Sequence, residues 1–338
     1  MAVTRQGNST EPCPGRLPPG GRPFSFGVTI AKPFLTIDEQ VALLESRGVS
    51  CGPGAGDLLM REGYYNIVNG YRAPFLDRSA TEEAGDDRYA PGTALDDMYA
   101  LFCFDRALRE KTFHHTLKAE ALVRTACSYH FAEAHRGTED YLLQSSYASE
   151  AEYSRLMRSD YLGNLQKLMQ TLFEKARKST RGPIAHYREE FGAVPIWVLS
   201  CDLTFGNMEH FFDFMKPAEQ GRVCSSIARA TGRSGGRGGY YGPKQARADI
   251  NTVVKVRNMC AHDERLYCAR IGGRKGARYA DFLKCVGRLL TKEENAAFVA
   301  SVMDDVRRFA QRGSVFAHIV ASMGLQERDA GTGARMNR

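Results

Sequence analysis

Apolar residues recur at helical rather than strand spacing along nearly the whole chain. From about 93 to 135 there is no proline, and Leu101, Phe104 and Leu108, then Phe113 and Leu117, fall three or four apart. That spacing puts side chains on one face of a helix, so the stretch predicts two long helices or one bent one. A further helix is predicted over 153–179 through Leu156, Leu162, Leu165, Leu168 and Leu172, with shorter ones at 184–191, 196–203, 207–215 and 217–230. After these come 243–261, 281–290, 292–312 and 315–324. Near the start, Thr36 followed by Glu39 spells a capping box ahead of Val41, Leu43 and Leu44, and Asp57 caps a helix through Leu58, Leu59 and Tyr64. No alternating pattern is long enough to anchor a sheet, and no internal repeat is found. The pattern predicts an all-α protein.

Proline and glycine mark the edges. Residues 1–28 hold Pro14, Pro18, Pro19 and Pro23 with few apolar anchors and are expected to be a flexible tail, as are residues 327–338. Between them, 29–326 is expected to form one helical domain. The run from Thr231 to Gly239, rich in glycine and arginine, predicts a loop. With 43% hydrophobic and 25% charged residues in 338, the composition is that of an ordinary globular chain and excludes a wholly disordered one.

Charge changes the picture more than composition does. The chain carries a formal +7, but residues 229–278 alone hold twelve basic against three acidic side chains, a local surplus of nine that leaves the remainder at −2. A concentrated basic segment points to an anionic partner. The nine cysteines are odd in number and none are spaced C-x-x-C, which argues against a zinc module or a disulfide framework and for reduced thiols. No window approaches the ~20 apolar residues that span a bilayer, and the first residues lack the layout of a secretion signal. The expected location is the cytoplasm, away from membranes.

Inside the basic segment lies Arg257-Asn258-Met259-Cys260-Ala261-His262-Asp263-Glu264-Arg265-Leu266-Tyr267. On a helix Asn258 and His262 share a face, with Arg265 three residues further on. Such a polar edge suits a bound phosphate. Cleaving RNA without a metal needs a base for the 2′-hydroxyl proton, an acid for the leaving 5′-oxygen and a cation for the phosphorus charge. Histidine suits the first two roles and arginine the third. One chain offers one such histidine, so two copies facing across a two-fold axis would supply both proton carriers. The Arg–His pair alone does not single out His262, because six of the eight histidines follow an arginine with four or five residues between. A helix-terminal His and Arg capping carbonyls is the structural alternative.

The extended string R-N-x-x-A-H-x-x-R-L-Y resembles the signature of the bacterial Abi-like family, linked to abortive infection and belonging to the HEPN superfamily of helical ribonuclease-like domains. Other segments resemble the family in order: Lys32 to Gln40 its opening, Tyr64-Tyr65 with Asn69-Gly70-Tyr71 and Pro74-Phe75 its second helix, and Phe104-Asp105 with Leu108-Arg109 its central helices. Ile184-Ala185-His186-Tyr187, Pro195-Ile196-Trp197 and Leu203-Thr204-Phe205-Gly206 resemble its later ones. Glu120 and Arg124 match the superfamily's Glu-x-x-x-Arg. The chain departs in having Cys268 after R-L-Y, where the family often has Asn, and in the 231–239 run, which looks like an insertion.

The resemblance implies a HEPN-like helical bundle elaborated with additional N-terminal and C-terminal helices. It implies a metal-independent, cofactor-free endoribonuclease of phage defence or toxin–antitoxin type, a homodimer with an RNA or protein antitoxin as a further partner. In that scheme His262 is the acid or base, Arg257 the phosphate clamp and Asn258 an orienter, with Glu120 and Arg124 in support. Arg265, Lys255, Arg247, Arg233 and Arg237 are then expected to bind the RNA backbone. The alternative is a non-catalytic RNA- or protein-binding module; DNA binding fits less well, since no helix-turn-helix spacing stands out. Trp197 is expected to anchor the core, Tyr64, Tyr65 and Tyr71 mainly to pack, and His186 to be structural.

Overall fold

The longest predicted stripe folds as one element: α4, Leu95–Ala134, is a single helix of 40 residues, roughly 60 Å long at 1.5 Å per residue. The computed structural model describes residues 33–154, 160–233, 241–311 and 315–326; both expected tails, and the part of the glycine-rich loop that holds Arg237, lie outside the described residues. Helices make up the regular structure of the described residues, which contain isolated bridges such as Ser50 with Ala94 but no strand. The fold class is all-α. Among the described residues no helix is long and apolar enough to cross a membrane.

The chain divides into two compact units. The first draws on Met1–Leu108, Arg265–Tyr279 and Met303–Arg338. Its α1 (Ile37–Ser46) begins on the capping box read from the sequence, with the Glu39 amide donating to Thr36 Oγ1 at 3.3 Å and the Thr36 amide to Glu39 Oε2 at 2.7 Å. α2 (Ala55–Glu62) starts before Asp57, on Gly54, so Asp57 lies in the first turn, where its charge favours the helix dipole, rather than capping it. It stops at Gly63, whose φ of 83° a side-chain-bearing residue rarely adopts. Tyr64 therefore lies beyond it, and Tyr65–Asn69 forms a short π-helix. α3 (Arg78–Ala84) buries no residue and rests on its Asp77 cap, which is why no apolar periodicity announced it. Leu44, Leu59, Ile67 and Leu101 are buried, and the Phe104 ring lies 5.0 Å from Phe309.

The second unit draws on Arg109–Glu264 and Ala280–Val302. The stretch predicted at 153–179 is interrupted at Asp160: α5 spans Glu150–Ser154, residues 155–159 lie outside the described residues, and α6 (Tyr161–Lys178) starts on Asp160, whose side chain accepts from the Gly163 amide. Then follow α7 (Gly182–Phe191), α8 (Ile196–Leu199), α9 (Phe205–Phe214), α10 (Pro217–Ala230) and α11 (Pro243–Ala261). α12 (Tyr279–Gly287) and α13 (Lys292–Ala310) come next, and α14 (Phe316–Met323) returns to the first unit. Phe205, Met208, Phe211, Phe212 and Phe214 of α9 are all buried, and so are its Glu209 and Asp213. α11 packs against it, with Arg247 bonded to Asp213 and Asn251 to Glu209, and buries its own Ile250, Val253 and Val254.

Trp197 does not anchor this core; it is 54% exposed. Ile196, Val198 and Leu199 take the inner side of α8, which turns the intervening indole outward. His186 is exposed as well, its ring edge-on to Phe191 at 6.0 Å. His115 instead stacks on Phe298 at 4.2 Å, and burial holds its pKa below the usual histidine value. Of the tyrosines, Tyr71 is buried and Tyr65 is 75% exposed.

Candidate active site

α11 brings the basic segment to its end at the candidate histidine. Pro243 starts the helix, where a missing N–H costs nothing, and His262 closes it as the C-cap. The chain then turns through Asp263 at φ 58°. The Asp263 amide donates to Cys260 O at 3.4 Å and the Glu264 amide to Met259 O at 3.0 Å, the two bonds of a Schellman ending. Asn258 and His262 keep the predicted spacing, since the His262 amide donates to Asn258 O at 3.0 Å, and both are exposed. Arg265 does not continue that face, because the helix has already ended. Its guanidinium donates to Gly70 O at 2.6 Å.

The second half of α4 holds this helix end. Arg257 Nε lies 3.5 Å from Glu120 Oε2, and its guanidinium carbon sits 5.6 Å from the centre of the Phe113 ring. The other Glu120 oxygen accepts from Arg124 Nη2 at 2.6 Å, and the same Nη2 donates to Leu203 O at 3.0 Å. Farther down α4, Arg109 Nη2 donates to Asp263 Oδ1 at 2.5 Å. As α4 runs from Arg109 to Glu120, its partners run back along α11 from Asp263 to Arg257, so the two helices are antiparallel here. The Glu-x-x-x-Arg and Arg-x-x-x-x-His patterns, 133 residues apart from Arg124 to Arg257 in the sequence, meet in one cluster.

The chemistry of that cluster follows from its count of charges. Two guanidiniums share one carboxylate that is only 8% exposed, leaving one positive charge over. Glu120 Oε2, Arg124 Nε and Arg257 Nε are buried and make no hydrogen bond, although buried polar atoms are nearly always bonded. A net positive charge at this helix end attracts an oxyanion, and the planar fork of a partly exposed arginine such as Arg257 suits a phosphate. Among the described residues no group of three or more His, Cys, Asp or Glu is arranged to hold a metal ion.

Two of the remaining basic candidates, Arg247 and Arg233, have other commitments. Arg247 Nε donates to Asp213 Oδ1 at 2.5 Å with both side chains nearly buried. Burial still pushes the Asp213 carboxyl above its usual range, against the pull of Arg247. Next to it on α9, Glu209 accepts from Asn251 at 2.5 Å, and burial raises its carboxyl in the same way. Arg233 donates to Leu290 O at 2.6 Å and to Thr231 O and Gly287 O. Arg237 lies outside the described residues. Lys255 is exposed on α11. Arg247→Ala is therefore expected to cost about 3 kcal/mol of folding stability, the scale of a broken buried pair. Lys255→Ala should stay within about 0.5 kcal/mol of the wild type. Urea denaturation of the two variants checks this, and equal midpoints would show that the Arg247 pair does not hold α9 to α11.

Sequence reasoning missed three residues of the second unit that touch this helix end: Arg109 and Asp263, which pair, and Phe113 beneath Arg257. One signal was present. Asp105 and Arg109 are charges set one helical turn apart inside the apolar stripe of Leu101, Phe104 and Leu108, and a charge there must be paired. A family model described as Abi-like protein matches residues 57–268, nearly two thirds of the chain. Nothing matches among the curated proteins or among the solved structures.

Proposed function

The chain belongs to the Abi-like family, and from that premise we propose that it is a HEPN-type, metal-independent endoribonuclease acting as a homodimer. The family ties the chain to abortive infection. The observation that carries the nuclease reading is the convergence of Arg257 and Arg124 on one buried carboxylate, one helical turn or so from the exposed His262.

In the proposed reaction the scissile phosphate sits against Arg257, with the Arg124–Glu120 pair holding that guanidinium from behind. One His262 removes the proton of the ribose 2′-hydroxyl. The 2′-oxygen then bonds to phosphorus, and the P–O5′ bond breaks. His262 of the partner subunit gives a proton to the departing 5′-oxygen, so the products are a 2′,3′-cyclic phosphate and a 5′-hydroxyl. Histidine is the side chain whose ordinary pKa lets it serve as base and acid near neutrality. Asn258, on the same exposed face, orients the phosphate or the ring. Lys255 steers the RNA backbone toward the site. An RNA or protein antitoxin would act by covering this face.

The test is cleavage of a labelled single-stranded RNA by the purified protein in EDTA. Full activity in the chelator, with cyclic-phosphate ends, is expected. Loss of cleavage on chelation would overturn the metal-free mechanism. Salt-sensitive RNA binding with no product under any condition would replace the enzyme by a binding module that uses the same arginines.

A further inference from the structure

We propose that the Arg109–Asp263 ion pair is a positioning device that sets the aim of His262, an inference that rests on the cleavage reading. Asp263 is the one residue other than glycine with a positive φ among the described residues. The place it holds, just past a helix C-cap, favours Gly or Asn, because a side chain there crowds the backbone. An aspartate kept in that conformation needs a use for its carboxylate. The structure supplies one: Asp263 is 71% exposed, yet its Oδ1 is held at 2.5 Å by a guanidinium that is only 4% exposed. A rigid helix thus reaches out from the core to grasp a surface turn.

The location gives that grasp a purpose. Arg109 and Glu120 are eleven residues apart on α4, which is three turns and nearly the same face. Glu120 engages Arg257 and Arg109 engages Asp263, so α4 grips the end of α11 on both sides of the Arg257–His262 string. His262 lies between the two grips and is itself exposed, so packing does little to fix its ring. Its direction is inherited from the backbone of the turn, and the adjacent Asp263 anchors that turn. Neither Arg109 nor Asp263 touches a reacting atom in the proposed scheme. They are positioning residues.

Two variants separate this role from a merely structural one. D263G removes the carboxylate and relieves the left-handed strain; D263N keeps the shape and tolerates the same backbone. Both suit the turn; D263N removes the charge but keeps an acceptor oxygen, and D263G removes the contact with Arg109 altogether. In single-turnover cleavage by the purified full chain, the maximal rate is expected to fall about 10- to 100-fold, the scale of a slight misplacement of a catalytic group. The RNA concentration giving half that rate should change less than about twofold, since the phosphate-gripping arginines are intact. Rates within twofold of the wild type in both variants would overturn the proposal and leave the nuclease reading standing. If the wild type itself makes no product, the nuclease reading fails, and NMR of the His262 ring still decides the pair. A ring signal that moves toward that of a freely rotating histidine in D263G, which leaves Arg109 no side-chain acceptor there, supports the anchor; an unmoved signal overturns it.

Discussion

His262→Ala is expected to lower the rate of RNA cleavage by about 10²- to 10⁴-fold, the usual worth of a positioned acid–base group. In the proposed dimer each copy's histidine serves one of the two proton transfers, so the substitution removes both at once. Folding should be almost untouched. The side chain is exposed at a helix end, and replacements at such places usually stay within about 0.5 kcal/mol. RNA binding should also persist, because Arg257, Arg124 and Glu120 hold one another without it. The decisive measurement pairs single-turnover cleavage with a binding titration at fixed salt. Wild-type rates in the variant would move proton transfer to another group and end the assignment of His262.

The largest effect on folding is expected at Asp105, a residue that no functional motif marks. Its carboxylate is fully buried, accepting from the Leu266 amide at 3.1 Å, the Tyr267 amide at 2.8 Å and the Tyr71 hydroxyl at 2.8 Å. Alanine would strand three buried donors, each carrying a desolvation penalty of about 1–3 kcal/mol. A loss of about 3–5 kcal/mol is expected after relaxation. Tyr71→Phe, which removes one donor, should cost only about 1 kcal/mol. Urea midpoints rank the two. An Asp105→Ala variant within 1 kcal/mol of the wild type would show that this carboxylate does not tie down Leu266 and Tyr267, the end of the motif.

These two residues show how unevenly the sequence discloses the protein. His262 is conspicuous because the R-N-x-x-A-H-x-x-R-L-Y string that resembles the family signature is contiguous around it, and contiguity is a local property. α10 and α11 begin and end where proline and the apolar period place them, for the same reason. Asp105 is inconspicuous because its partners lie 34 and more than 160 residues away. The basic surplus in 229–278 misled in a related way. Charge counting records how many cations a segment carries, not which are already bonded. Asp213 occupies Arg247, backbone carbonyls occupy Arg233 and Gly70 occupies Arg265. Trp197 misled because α8 is a four-residue helix, too short for an apolar run to show which side faces inward.

The sequence by itself determined the helical class, most of the long helices and the Arg257–Asn258–His262 string, since each depends on residues within a few turns of one another. Only the tertiary structure decided which charges are free to act. It seated Glu120 between Arg124 and Arg257, and it ended α11 at His262 by a left-handed aspartate held from α4. The physical reason is that an ion pair depends on distance in space, falling off over a few ångströms. Spacing along a helix fixes that distance for near neighbours only.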